Sequence, residues 1–162
     1  LGEYLGHLET RGVSPNVASY VGATTARIHE LGYADRAPTQ AELFRMQELV
    51  RAAMREGALG VGASLIYAPA FYAKTDELIA LTKAAAEFGG GYIAHMRSEG
   101  DRYLEAIDET IAIARAADTH AQIYHLKPAG RSNWDKSAAG LAKLDAARAD
   151  GVDVTANIYT YT

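Results

Sequence analysis

Two histidines stand at matching places in the chain, His95 in I-A-H-M-R and His125 in I-Y-H-L-K, 30 residues apart. Each ends a short apolar run and is followed two residues later by a cation, Arg97 and Lys127. If both runs are parallel strands, the two imidazoles lie about one strand spacing apart, roughly 5 Å, at a shared mouth. That geometry suits two ligands on one Zn²⁺ at ~2.0–2.1 Å each. A lone histidine at a strand end is more often a hydrogen-bonded structural residue, and the pairing in consecutive repeats is what favours a metal. Side chains two apart on an extended segment face the same way, so Arg97 is expected beside His95 and Lys127 beside His125. A metal flanked by cations suits a small-molecule substrate that carries a carboxylate: the metal polarises a scissile carbonyl and the cations hold the acid group. The alternative is that Arg97 and Lys127 pair with loop carboxylates such as Glu99 and Asp101. Tyr67 in L-I-Y-A-P and Tyr159 in N-I-Y-T-Y end two further strands. His7, His29 and His120 fall in helical or loop segments and read as surface residues.

The elements that must position these residues follow from punctuation and periodicity. T-Q-A-E at Thr39 has the form of a capping box, Leu43, Met46, Val50 and Ala53 share one helical face, and Gly57 stops the helix. Thr75 opens a helix through Phe88, Asp101 one through Ala117, and Asp135 one through Ala149. Strands are expected at Asn16 to Val21, Ala58 to Tyr67, Gly91 to His95, Ala121 to His125 and Val152 to Tyr159. Strand starts near 58, 91, 121 and 152 are separated by roughly 30 residues, the length of one strand-helix unit with a parallel crossover. The fold class is therefore α/β, with about five parallel strands and intervening helices. No Gly-x-Gly-x-x-Gly sits at a strand-to-helix turn, which removes the main support for a dinucleotide-binding sheet and leaves a partial (β/α)8, TIM-like barrel. In such a barrel the strand carboxyl ends carry the active site. No linker divides the chain, so residues 1–162 read as one partial barrel domain.

Composition narrows the partners. Hydrophobic residues make up 49% and charged residues 22%, ordinary globular usage. A net charge of −4 with no basic run leaves no footprint for nucleic acid or anionic lipid. There is no cysteine, so any metal held by this chain takes His, Asp, Glu or modified Lys. No apolar run approaches the ~20 residues that span a bilayer, and no signal peptide is visible; a cytoplasmic location is expected. The start at Leu1 without methionine and the stop at Thr162, inside a strand and its loop, read as a piece cut from a longer chain at both ends. The oligomeric state is not legible.

The segments H-M-R-S-E-G-D, I-Y-H-L-K-P-A-G-R-S-N-W, G-A-L-G-x-G-A-S-L-I-Y-A-P and T-A-N-I-Y-T-Y-T resemble the D-aminoacylase, or N-acyl-D-amino-acid deacylase, branch of the metal-dependent amidohydrolase superfamily. L-G-E-Y-L, N-V-A-S-Y-V-G-A-T-T and R-A-P-T near the N-terminus are also similar to it, so the likeness covers essentially the whole chain. The resemblance implies a distorted (β/α)8 barrel, zinc, and hydrolysis of an N-acyl amide to a carboxylate and a D-amino acid. It implies that His95 and His125 are metal ligands, and that Tyr67 and Lys127 lie where the family contacts substrate, as catalytic and substrate-binding residues. Arg97, set beside His95 by its spacing, joins them as a second, substrate-binding cation for the carboxylate. The family's His-x-His pair, its cysteine ligand and its last-strand aspartate are expected before Leu1 and after Thr162. Asn157 and Thr160 depart from the Asp and Pro of many relatives, which leaves the substrate class within the branch open. Two other readings stand beside this one: a noncatalytic metal- or ligand-binding fragment, and a cyclic amidase resembling dihydroorotase or hydantoinase.

Overall fold

The computed structural model describes residues 1–161; Thr162, the last residue of T-A-N-I-Y-T-Y-T, lies outside them. Five strands, β1 (Val21–Gly22), β2 (Gly60–Ser64), β3 (Gly91–His95), β4 (Ala121–Ile123) and β5 (Val154–Ala156), form one sheet in chain order. Every neighbouring pair is parallel. The helices are α1 (Gly2–Arg11), α2 (Ala23–Leu31), α3 (Gln40–Arg55), α4 (Thr75–Ala86), α5 (Tyr103–Ala117) and α6 (Ser137–Ala149). Neighbours pack in sequence, α3 on α4, α4 on α5 and α5 on α6. Sequential parallel strands with crossover helices are one arc of a (β/α)8 barrel.

Alternation along the strands decides the two faces of the sheet. Val61, Ala63, Tyr92, Ala94, Ala121, Ile123 and Val154 join the buried core with Val50, Leu78, Leu81, Ile107 and Ile113 from the helices. The opposite, inner face carries Gly62, Ile93, Gln122 and Thr155, which the pairing register sets side by side. His95 ends β3 on that inner face, level with Ser64.

The capping box forms as expected. Thr39 Oγ1 accepts the Glu42 N–H at 3.3 Å and Glu42 Oε2 accepts the Thr39 N–H at 2.8 Å. Other helix starts differ. Thr75 lies inside α4 and its hydroxyl donates to Glu109 at 2.8 Å instead of capping. α5 opens at Tyr103, two residues after Asp101, and a 3-10 turn at Arg131–Lys136 delays α6 to Ser137. The first strand is two residues long and lies at Val21–Gly22, not across Asn16 to Val21. His120 is half-buried, with its ring packed over the backbone of Gly91 where any side chain would collide with it, so it is not the surface residue expected. Among the described residues no helix is long and apolar enough to cross a membrane.

One ion pair crosses this core. Arg27 on α2 donates from Nη1 to Glu77 Oε2 on α4 at 2.6 Å, and from Nη2 to the carbonyls of Ala34 and Arg36 at 3.1 and 2.6 Å. Both side chains are buried. The pair fixes the loop after α2 against the barrel wall.

Candidate metal centre

The two strand-end histidines meet. His95 Nδ1 and His125 Nε2 are 2.9 Å apart, with ring centroids at 4.6 Å and planes at 73°. They do not meet by simple repetition. The sheet register pairs Tyr92 with Ala121, an offset of 121 − 92 = 29, whereas the histidines are offset by 125 − 95 = 30. Tyr124, whose N–H donates to the Ala94 carbonyl at 2.9 Å, is therefore the residue level with His95. Strict alternation would send His125 to the helix side. The chain leaves the strand after Ile123, and His125 takes φ 36°, in the left-handed region, which turns its ring back to His95. Asn157, just past β5, clamps this turn: its Oδ1 accepts the His125 N–H at 2.7 Å and its carbonyl accepts the Leu126 N–H at 2.8 Å.

Around this pair the loops bring four further groups. Glu99, 9% exposed, places Oε1 2.9 Å from His125 Nδ1 and accepts from Lys127 Nζ at 2.8 Å. Lys127 Nζ also lies 3.1 Å from His125 Nδ1 and 5.3 Å from the centre of the Tyr159 ring. The Tyr159 ring is 6.3 Å from His125, and the exposed Tyr67 ring is 5.5 Å from His95. Tyr67 and Tyr124 continue into a cavity of about 640 Å³ on the inner face, lined also by Gly62, Ser64 and Ile93. Burial holds the His95 imidazole below its ordinary pKa, against the pull of Glu99. That favours the neutral ring, the form with a lone pair to donate.

Arg97 does not join them. Its Nε and Nη2 bind the Glu109 carboxylate on α5 at 2.9 Å each, and its other contacts are the carbonyls of Phe71 and Ala73. β3 ends at His95, so the two-residue alternation that set Arg97 beside His95 no longer applies. The expected carboxylate pairing is also redistributed, because Lys127 takes Glu99 and Arg97 takes Glu109.

No family model matches the sequence, but individual proteins do. An N-acyl-D-glutamate deacylase of Alcaligenes xylosoxydans xylosoxydans is 37% identical over 158 residues, 98% of this chain and 32% of that protein. A D-aminoacylase of the same organism is 35% identical over 159 residues, 98% of this chain and 33% of that protein. The crystal structure of N-acyl-D-glutamate deacylase from Bordetella bronchiseptica, complexed with zinc and a phosphonate mimic of the tetrahedral intermediate, superposes with a TM-score of 0.95 at 35% identity. It is matched over 99% of this chain and 34% of its own. The chain is a homologue of the D-aminoacylases. It spans about a third of the length of the curated relatives it matches.

In this D-aminoacylase homologue the residues present fit a metal ion. One ligand atom each from His95, Glu99 and His125 lie within 4.8 Å of one another, and imidazole with carboxylate is a donor set that divalent zinc accepts. Among the described residues His95 Nε2 is buried without a hydrogen-bond partner, so the ring is held by packing and by what meets Nδ1. Glu99 is the site residue that sequence reasoning placed only as a pairing partner. Its signal, an acid four residues past a strand-end histidine, lies in a loop where no periodicity says which way a side chain turns.

Proposed function

We propose that the protein carrying these residues is a zinc-dependent deacylase that hydrolyses the amide bond of N-acyl-D-amino acids, with His95 and His125 as metal ligands. The observation that supports this most is the 2.9 Å approach of His95 Nδ1 to His125 Nε2, with Lys127 beside it, two residues beyond His125 in the loop after β4. Zinc held there supplies Lewis acidity toward an amide carbonyl. Lys127 serves as the cation for the substrate carboxylate. Its ammonium has three donors, so contact with Glu99 leaves capacity for a second acid group. Tyr67, exposed at the rim beside His95, is placed to donate to that carboxylate or to the developing oxyanion.

The Lys127 ammonium and the open inner cavity favour an acyclic acyl-amino acid over a cyclic amide. The test is hydrolysis of N-acetyl-D-amino acids, their L enantiomers and a hydantoin by the zinc-loaded whole polypeptide. Cleavage of the D series is the expected result, and preferential cleavage of the hydantoin would overturn it. Tyr67→Phe is expected to lower kcat by ~10²–10³, the usual cost of one oxyanion donor. A fall smaller than about threefold would remove Tyr67 from the chemistry.

A further inference from the structure

We infer that Asn157 is a positioning residue for the metal site: its side-chain oxygen replaces a displaced ladder bond and so holds His125 in the turn that brings its ring to His95. The inference rests on the reading of His95 and His125 as ligands. The register of β4 against β5 sets Ile123 beside Ala156, which puts Tyr124 level with Asn157. In a regular parallel ladder a residue bonds to both neighbours of the one opposite it, giving its N–H to the earlier and taking an N–H from the later. Asn157 makes the first of these bonds, donating its N–H to the Ile123 carbonyl at 3.0 Å. The second bond has slipped by one residue. The Asn157 carbonyl accepts from Leu126 at 2.8 Å, and the His125 N–H, deprived of that acceptor, donates to Asn157 Oδ1 at 2.7 Å.

Two residues, Tyr124 and His125, thus stand against one, which is the arrangement of a β-bulge and re-aims the side chain of the extra residue. The slip is confined to His125, because Tyr124 still donates to the Ala94 carbonyl at 2.9 Å on the other edge. It carries His125 to φ 36° and its Nε2 to 2.9 Å from His95 Nδ1. The backbone of Asn157 alone holds the residues on either side of His125, and the side-chain oxygen holds His125 itself. That task needs an acceptor on Cγ, which aspartate shares and which leucine, of similar shape, lacks. The Asn157 side chain is exposed, so replacing it removes the clamp without opening the core. Groups that orient a metal ligand from outside are ordinarily worth about 10–100-fold in affinity.

The experiment is zinc affinity by chelator competition on the whole polypeptide, for wild type, Asn157→Ala, Asn157→Leu, Asn157→Asp and His95→Ala, with amide hydrogen exchange at His125 in the metal-free forms. Asn157→Ala and Asn157→Leu are each expected to weaken zinc binding by about 10-fold and to lose protection at the His125 amide. Asn157→Asp is expected to restore both. Wild-type zinc affinity in the alanine or leucine variant would overturn the inference, as would an aspartate variant that binds zinc no better than alanine. Protection at His125 that survives in Asn157→Leu would overturn it without reference to the metal. Zinc affinity that His95→Ala leaves untouched would instead sink the ligand reading, and this inference with it.

Discussion

Replacing Glu77 by alanine is expected to destabilise the protein by about 3–5 kcal/mol, the usual cost of stranding one member of a buried ion pair. Arg27 is fully buried and Glu77 is 4% exposed, so the guanidinium left behind has no route to water. Two of its bonds would remain, to the carbonyls of Ala34 and Arg36, but carbonyl dipoles do not neutralise a charge. Its Nε already lacks a partner among the described residues. The pair is a constraint more than a source of stability, since burial pushes the Glu77 carboxyl above its ordinary pKa despite the guanidinium beside it. The double variant Arg27→Met/Glu77→Leu, which removes both charges and keeps the volume, is therefore expected to lose less than Glu77→Ala alone. Urea unfolding of wild type, Glu77→Ala, Arg27→Met, Glu77→Leu and the double variant measures this. A double variant as unstable as the sum of its singles would show that the ion pair is not the mechanism.

The second large effect is at the proposed metal site. His95→Ala and His125→Ala are each expected to lower deacylase kcat/KM by on the order of 10³-fold, since Lewis-acid stabilisation is worth several kcal/mol and each 1.36 kcal/mol is a factor of ten. Metal content should fall with activity. The two cations separate in the same assay. Lys127→Met should raise KM for the acyl-amino acid, whereas Arg97→Met should leave KM unchanged and lower stability, because Arg97 is spent on Glu109 and two carbonyls. Equal rises in KM would return Arg97 to the substrate.

Much of the frame was legible from residue types. β3 has the bounds that the Gly91 to His95 run suggested, and Thr39 caps α3 because its box needs only local geometry. The faces of the sheet also follow from alternation. What escaped depends on distant parts of the chain. Thr75 and Asp101 have the right chemistry for caps, but the Thr75 hydroxyl is drawn to Glu109 on α5, and Arg102 intervenes between Asp101 and the first turn of α5. Asn16 to Val21 is short of strand because β1 pairs with β2 only at Val21 and Gly22. The equal spacing of the two histidines was the right clue for an incomplete reason. A 30-residue interval laid on a 29-residue register needs a turn at His125 that no periodicity encodes.

That turn sets two kinds of selection against each other. A left-handed backbone costs an ordinary L-residue about 1–2 kcal/mol, and glycine or asparagine adopts it with little strain. Position 125 has a histidine there, with Asn157 holding the backbone in place. Screening variants of this protein for thermal tolerance alone would reward glycine or asparagine at 125. It would do so by discarding the imidazole that meets His95, so thermostabilisation of this barrel has to be pursued away from the His125 turn.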